Sequence, residues 1–249
     1  MKDRLVSITR IYLPISLRRR LVKYTRWPPV GWVMFGDLGR RKPISPTWGT
    51  ERGKPVDRYY IEQFLSSNAS SITGHVLEIG NNTYTYKFGD SDVLQSDVLH
   101  VTEQKEAVTI IGDLTNAEHI PSDTFDCIIV TQTLHLIYEV QSAIQTLHRI
   151  LKPGGVALCT VPGISQISRY DMDHWGDYWR FTTRSIQRLF EEVFPADHIQ
   201  VRAYGNVLAS VAFLHGLASE ELRKKDLEYF DPDYELIISV RVLKPEAAG

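Results

Sequence analysis

Glu78, Asp97 and Asp113 each stand in or just after a short apolar run, at intervals of nineteen and sixteen residues. A carboxylate at the end of a strand accepts hydrogen bonds from ribose hydroxyls or from an adenine amino group, although alone it is as readily a solvated turn residue. Three acids in order on successive runs favour a nucleoside site. Gly80 follows the first of them and lets a backbone turn sharply and come close to a ligand. Further on, His135 lies in Gln132-Thr133-Leu134-His135-Leu136-Ile137, and a denser stretch runs from Ser168 to Thr182. If the group to be modified is a hydroxyl, a His or a carboxylate within hydrogen-bond reach can take its proton, which makes His135, His174 and Asp173 the candidate bases. The competing reading of His135 is a structural histidine. Tyr170, Tyr178 and Trp179 offer faces for a sugar ring or a cation, and Asp177 and Arg180 offer hydrogen bonds to a substrate. Asp171, Asp173, His174 and Asp177 could instead hold a divalent metal, but acids so close to Arg169 and Arg180 are more often paired, and no metal is expected.

The elements that must position these groups alternate. Strand signals occur at 75–80, 93–97, 108–114, 126–132 and 156–162, each apolar and β-branched but too short for a helix, as in a parallel sheet buried on both faces. A short helix is expected from Val56 to Leu65, with Pro55 suited to its start. Another runs from Val140 to Leu151, with Val140, Ala143, Ile144, Leu147 and Ile150 on one side, and stops at Lys152-Pro153-Gly154-Gly155. A polar aromatic loop (163–181), a helix (183–194), a strand (199–204), a helical insert (206–227) and a last strand (234–243) complete the order. This predicts a Rossmann-like, doubly wound α/β fold: seven strands, mostly parallel with the last antiparallel, helices on both faces, and a ligand outside the strands' carboxyl ends. Residues 28–55, rich in Pro and Gly, read as a linker, so the expected division is 1–55, a basic extension, and 56–249, the α/β domain.

Glu78-Ile79-Gly80, Asp97, Gly112-Asp113-Leu114, Phe125-Asp126-Cys127-Ile128-Ile129 and above all Leu147-His148-Arg149-Ile150-Leu151-Lys152-Pro153-Gly154-Gly155 resemble the ordered motifs of class I S-adenosylmethionine-dependent methyltransferases. The resemblance covers residues 76–162. It implies S-adenosylmethionine as cofactor, with Gly80 at its amino acid part, Asp97 at the ribose and Asp113 at the adenine. It places Thr131 and Gln132 beside the methionine portion, and Glu78, Asn81 and Leu114 on the same loops. Tyr59, in the helix before the first strand, is a further candidate for cofactor contact, as is Tyr60 and more weakly Trp48. The family usually carries two more glycines after the first, whereas this chain continues Asn81-Asn82-Thr83-Tyr84. Asn tolerates left-handed backbone, so Asn81 or Asn82 is expected to stand in for a glycine. His135 holds a place where the family often has a histidine facing the site. The stretch 177–182 resembles one in methyltransferases encoded among bacterial polysaccharide and glycan genes, which points to O-methylation of a sugar or other small-molecule hydroxyl. Members that methylate amino groups of bases carry Asn or Asp before Pro-Pro where this chain has Thr131-Gln132-Thr133-Leu134. That disfavours base amination, so a nucleic acid methyltransferase, supported only by the basic arm, is the second alternative, and a non-catalytic binding protein on the same fold is another.

Composition bounds the rest. With 249 residues, 43% hydrophobic and 23% charged, the chain has material for a sizeable core. Its net charge of −2 conceals a division: residues 1–54 hold thirteen Lys or Arg against three acids, net +10, which leaves fifteen against twenty-seven, net −12, for the remainder. The basic arm suits an anionic lipid surface, a phosphorylated substrate or the acidic body of its own fold. The two cysteines, Cys127 and Cys159, lie in apolar runs and read as buried thiols, consistent with a reducing cytoplasm. Arg10 and Pro14 interrupt the N-terminal apolar stretch, which argues against a signal peptide, and no run of about eighteen apolar residues could span a bilayer. The expected partner is a small-molecule or glycan substrate. Nucleic acid is disfavoured, and peripheral membrane contact through the arm and a homodimer are both left open.

Overall fold

Short runs of Val, Ile and Leu flanked by turns on both sides can hide only between helices, and in the computed structural model they do. The structure describes residues 14–15, 27–103 and 107–246. Two compact units divide at residue 43. In the second, the strands β1 (Gly74–Ile79), β2 (Val93–His100), β3 (Ile110–Ile111), β4 (Phe125–Thr131), β5 (Leu151–Pro162), β6 (Ile199–Tyr204) and β7 (Ile237–Leu243) form one sheet in the order β3-β2-β1-β4-β5-β7-β6. The first five pair in parallel, and β7 runs antiparallel between β5 and β6. The expected fold class is the one observed.

The helices are α1 (Val56–Ser67), α2 (Thr83–Phe88), α3 (Val140–Ile150), α4 (Arg169–His174), α5 (Thr183–Glu191), α6 (Val207–Leu214) and α7 (Lys224–Glu228). One face of the sheet packs on α3 and α5 through Leu77, Ile128, Val130, Ile144, Leu147 and Phe190. The other packs on α1, α6 and α7 through Val76, Ile129, Tyr60, Leu65, Phe213 and Leu227. Both cysteines are free and buried. Among the described residues no helix is long and apolar enough to cross a membrane.

Four differences from the sequence reading matter. β2 continues three residues past Asp97, because Val98 and Leu99 are buried and carry its pairing with β1 up to Leu99 opposite Ile79. Of the expected third strand only Ile110 and Ile111 remain. Two short helices, α2 and α4, occupy stretches read as loop; Ser168 Oγ caps α4 by accepting the Asp171 N–H at 3.2 Å. The α/β unit already includes residues 43–55, since the Ile44 and Ser45 N–H groups donate to the His215 carbonyl (2.9 and 3.0 Å) and the Ser219 N–H donates to Lys54 O at 2.7 Å.

The strand order reverses between β1 and β4, with β2 and β3 leading away on one side and β5 on the other. Such a reversal splays the connections apart and opens a crevice above the carboxyl ends of the central strands. The segment after β3, which walls it, is tied down by Arg149 of α3: Nη1 donates to Ile120 O at 2.5 Å and Nη2 to Ala117 O at 2.7 Å. Arg149→Met keeps the stem and strips both carbonyls of a charged donor, so we expect a loss of about 2 kcal/mol. Urea unfolding should show a lower midpoint at unchanged slope; an unaltered midpoint would mean that this tie carries no stability.

Candidate functional site

A cavity of about 810 Å³ lies at the carboxyl ends of β1 to β4, where the crevice was expected. Its floor is formed by Ile79 and Gly80 after β1, His100 at the end of β2, and Gly112, Asp113 and Leu114 after β3. Thr133, Leu136 and Ile137 follow β4 on the third side. The far wall is aromatic: Tyr138, Tyr170, His174, Trp175 and Tyr178. Their rings meet in two groups, Tyr138 edge-on to Tyr178 at 5.4 Å, and Tyr170 stacked on His174 at 4.1 Å with Trp175 beside it. Three acidic residues line the cavity, Asp113, Glu139 and Asp171, and among the described residues no Lys or Arg lines it.

Gly80 takes the turn itself, at φ +88°, and a Cβ there would meet nothing within 4 Å, so its Cα faces open space. Neither Asn81 nor Asn82 adopts left-handed backbone. Asn81 Oδ1 instead accepts the Thr83 N–H at 3.0 Å and starts α2, which corrects the expectation that an asparagine replaces a glycine. Glu78 does not line the cavity. Its side chain is buried, with Oε1 accepting the Tyr84 N–H (3.2 Å) and Oε2 accepting both the Thr85 N–H (2.7 Å) and the Thr85 hydroxyl (2.8 Å). Burial pushes its carboxyl up and these hydrogen bonds pull against that. It anchors the loop after β1.

Asp97 is also displaced from its expected role, because the strand carries on for three residues and leaves it short of the crevice. It accepts from His75 Nε2 at 2.6 Å and Gln95 Nε2 at 3.1 Å. Burial alone would raise its carboxyl, yet hydrogen bonds with His75, Thr109 and Gln95 hold it below the usual range. His100 stands at the level where the acid was sought. Thr131 and Gln132 lie beside β5 and not on the cavity, with the Gln132 N–H donating to Thr160 O at 2.9 Å. Tyr59 packs against Tyr60 on the opposite face of the sheet, and Trp48 joins the same apolar cluster. Of the expected cofactor residues, Gly80, Asp113 and Leu114 meet at the cavity.

The aromatic stretch divides likewise. Tyr170, His174 and Tyr178 line the cavity, whereas Asp173 lies exposed on the other side of α4 and Asp171 takes its place. Asp177 is buried and accepts from Arg180 Nη1 (2.5 Å), Arg180 Nη2 (3.0 Å) and the Ser168 N–H (3.0 Å). Arg180 Nη2 also donates to Gln166 O at 2.6 Å, and Trp179 Nε1 to Ile137 O at 3.0 Å. These three residues fasten the loop, and none of them lines the cavity. Among the described residues no group of three or more His, Cys, Asp or Glu is arranged to hold a metal.

The two candidate histidines part company. His135 is buried, does not line the cavity, and has Nδ1 without a hydrogen-bond partner; its carbonyl accepts the N–H groups of Tyr178 (2.9 Å) and Trp179 (3.2 Å). Burial pushes its imidazole down to about 4, against the opposing pull of Asp177. His174 is exposed at the cavity, and its Nδ1 lies 2.7 Å from the Tyr170 carbonyl. A carbonyl only accepts, so Nδ1 carries the proton and the neutral ring has its lone pair on Nε2. The cavity residues that the sequence reading did not single out are chiefly His100, Thr133, Tyr138 and Glu139. The signal that could have found His100 is Val98-Leu99, an apolar pair that carries the strand past Asp97.

With this geometry set out, likeness to known proteins can be weighed. A family profile described as a methyltransferase domain matches residues 59–202. The ubiquinone/menaquinone biosynthesis C-methyltransferase UbiE of Haemophilus ducreyi is 32% identical over 69 residues, a match that takes in 25% of this chain and only 27% of that protein's length. A SAM-dependent methyltransferase structure from Archaeoglobus fulgidus is similar with a TM-score of 0.51 at 10% identity, over 75% of this chain and 94% of the other. A putative sarcosine dimethylglycine methyltransferase from Galdieria sulphuraria gives 0.51 at 13% identity, over 76% and 87%. The cyclase SpnF also gives 0.51 at 14% identity, over 79% and 85%. At such identities the structures speak for the fold alone.

The buried His135 has a consequence for acid stability. The unfolded chain protonates it below about pH 6.5, while the native state holds it neutral to about 4, so over that window the unfolded state binds more protons. Stability from this source is present above pH 6.5 and is lost as the pH falls towards 4, by up to about 3 kcal/mol. Melting temperatures of the wild type and of His135→Gln, followed from pH 7 to 4, should diverge in slope, with the variant flatter; parallel curves would contradict a neutral buried imidazole.

Proposed function

The chain belongs to the methyltransferase-domain family, its cofactor is S-adenosylmethionine, and on that premise we propose that it is an O-methyltransferase acting on an uncharged hydroxyl of a sugar or other small molecule, with His174 as general base. The residues at the cavity suit an adenosyl cofactor. Gly80 leaves its Cα open to close approach, Ile79, Leu114 and Leu136 offer apolar faces for a purine, and Asp113 supplies an acceptor at the rim. A volume of 810 Å³ falls in the range of pockets that enclose most of a small ligand. When bound, S-adenosylmethionine supplies a methyl group on a sulfonium sulfur, an electrophile open to in-line displacement.

What remains for the protein is to align the acceptor and to take its proton. Positioning can account for most of the rate in such a displacement. The aromatic wall gives Tyr170, Trp175 and Tyr178 as flat surfaces on which a ring can lie, and Asp171 and Glu139 as acceptors for its other hydroxyls. The field of three carboxylates with no opposing Lys or Arg among the described lining residues favours a cation and an uncharged acceptor over a phosphorylated one. The observation that carries the reading is the fixed tautomer of His174. With Nδ1–H held by the Tyr170 carbonyl, Nε2 is the nitrogen of the neutral ring that can accept a proton from an attacking hydroxyl.

The test combines binding and turnover. Methyl-labelled S-adenosylmethionine offered with a panel of monosaccharides, polyols, phenols and amines should label a hydroxyl as an alkali-stable ether. His174→Gln should lower that transfer by 10²- to 10⁴-fold, a range typical of a lost general base (~3 to 5 kcal/mol), while calorimetry with S-adenosylhomocysteine shows an unchanged Kd. Label on nitrogen or carbon, or full activity in the variant, would refute the assignment.

A further inference from the structure

The unit that ends at Lys42 presents a surface that the methyl-transfer chemistry does not use. Trp27, Val30, Trp32, Val33, Met34 and Phe35 are six of nine consecutive residues, and each is between 52 and 94% exposed. Nothing in their local backbone draws them inward. The Trp32 N–H closes a turn on Pro29 O at 3.0 Å around Gly31 (φ +90°), the Leu38 N–H closes another on Phe35 O at 3.0 Å, and residues 27–35 belong to no helix or strand. Six large apolar side chains held in water within one short segment mark a contact surface.

The sequence on either side says what that surface meets. Residues 1–42 contain eleven Lys or Arg against Asp3 and Asp37, net +9. Arg18, Arg19, Arg20, Lys23 and Arg26 precede the apolar segment, and Arg40, Arg41 and Lys42 follow it. Basic residues bracketing an apolar segment rich in tryptophan are the chemistry of a lipid interface, where indole rings sit at the head-group level and Lys and Arg meet lipid phosphates. A single-stranded nucleic acid would use the cations and could stack on Trp27, Trp32 and Phe35, but it offers nothing to Val30, Val33 and Met34. An acyl-chain boundary takes all six. We propose that residues 27–35, with their flanking cations, dock this protein on an anionic phospholipid surface.

The full chain serves for the test, in flotation with vesicles of phosphatidylcholine alone or with about a third phosphatidylglycerol. The protein should float with the anionic vesicles at low salt and release as salt screens the contact. The triple variant Trp27→Ser, Trp32→Ser, Phe35→Ser should partition at least tenfold more weakly with an unchanged circular dichroism spectrum, since these side chains are exposed. Arg18→Gln, Arg19→Gln, Arg20→Gln should cost about a hundredfold, each basic residue near such a surface being worth about fivefold. The proposal is overturned by no association with anionic vesicles, by equal partition into phosphatidylcholine alone, by indifference to the aromatic variant, or by tighter binding of a single-stranded RNA oligonucleotide than of the vesicles.

Discussion

A single buried carboxylate sets the shape of the cavity floor. Glu78 sits in β1, an interior strand of the sheet, where an ionised group is costly to bury unless its lone pairs are used. They are used, by two backbone N–H groups and one hydroxyl at the start of α2. The chain between Gly80 and Thr85 therefore has little choice of path. It turns at Gly80, makes a local turn in which Asn81 Oδ1 accepts the Thr83 N–H just before α2, and leaves open space at the glycine's Cα. In a loop with one glycine where relatives usually carry three, this hydrogen-bonded anchor takes over work that backbone freedom does elsewhere.

That substitution explains what could and could not be read from the sequence. The sheet was legible because a strand buried on both faces needs an apolar stretch at its middle, and residues 76–77 of β1, 127–130 of β4 and 156–159 of β5 supply one. The position of the crevice followed from the order of the elements, and Gly80, Asp113 and Leu114 from their place just past a strand end. Asp97 reads in the sequence as the end of its strand, yet the strand continues to His100. The register is set by pairing with β1, which continues to Leu99, and an acid inside a strand is tolerated when a neighbour such as His75 answers it. Glu78 and Asp177 were placed at a ligand for a similar reason. A sequence shows that a carboxylate is near a site but not which way it turns, and both turn inward to donors supplied by residues seven and three positions away.

The two histidines illustrate how orientation decides chemistry between identical side chains. His135 sits in the short turn after β4, where Leu134 and its own ring are drawn into the core, and burial leaves the imidazole neutral and enclosed. Its carbonyl, not its ring, is what the loop 177–180 uses. His174 ends a six-residue helix whose last turn offers the Tyr170 carbonyl four residues back. The imidazole donates to that carbonyl from within its own turn, and this local bond is what fixes the tautomer of the ring at the cavity.

The clamp of Asp177, Arg180 and Trp179 then acquires a function without touching a ligand. α4 carries Tyr170, Asp171 and His174 but is too short to hold its own position, and its six residues include none that is buried. It is held from both ends: Ser168 is bonded to Asp177 at its start, and Trp175 and Gly176 donate to Asp171 O at its finish. Arg180 links the same carboxylate to the carbonyls of Ser165 and Gln166, and Trp179 reaches across to Ile137 on the opposite wall. A wall built this way owes its rigidity to polar ties at its edges, the buried Asp177 among them, and not to an apolar core beneath it. Regions of that kind open at lower cost than the sheet they rest on, and α4 is thus the part of the cavity best placed to yield when an acceptor enters.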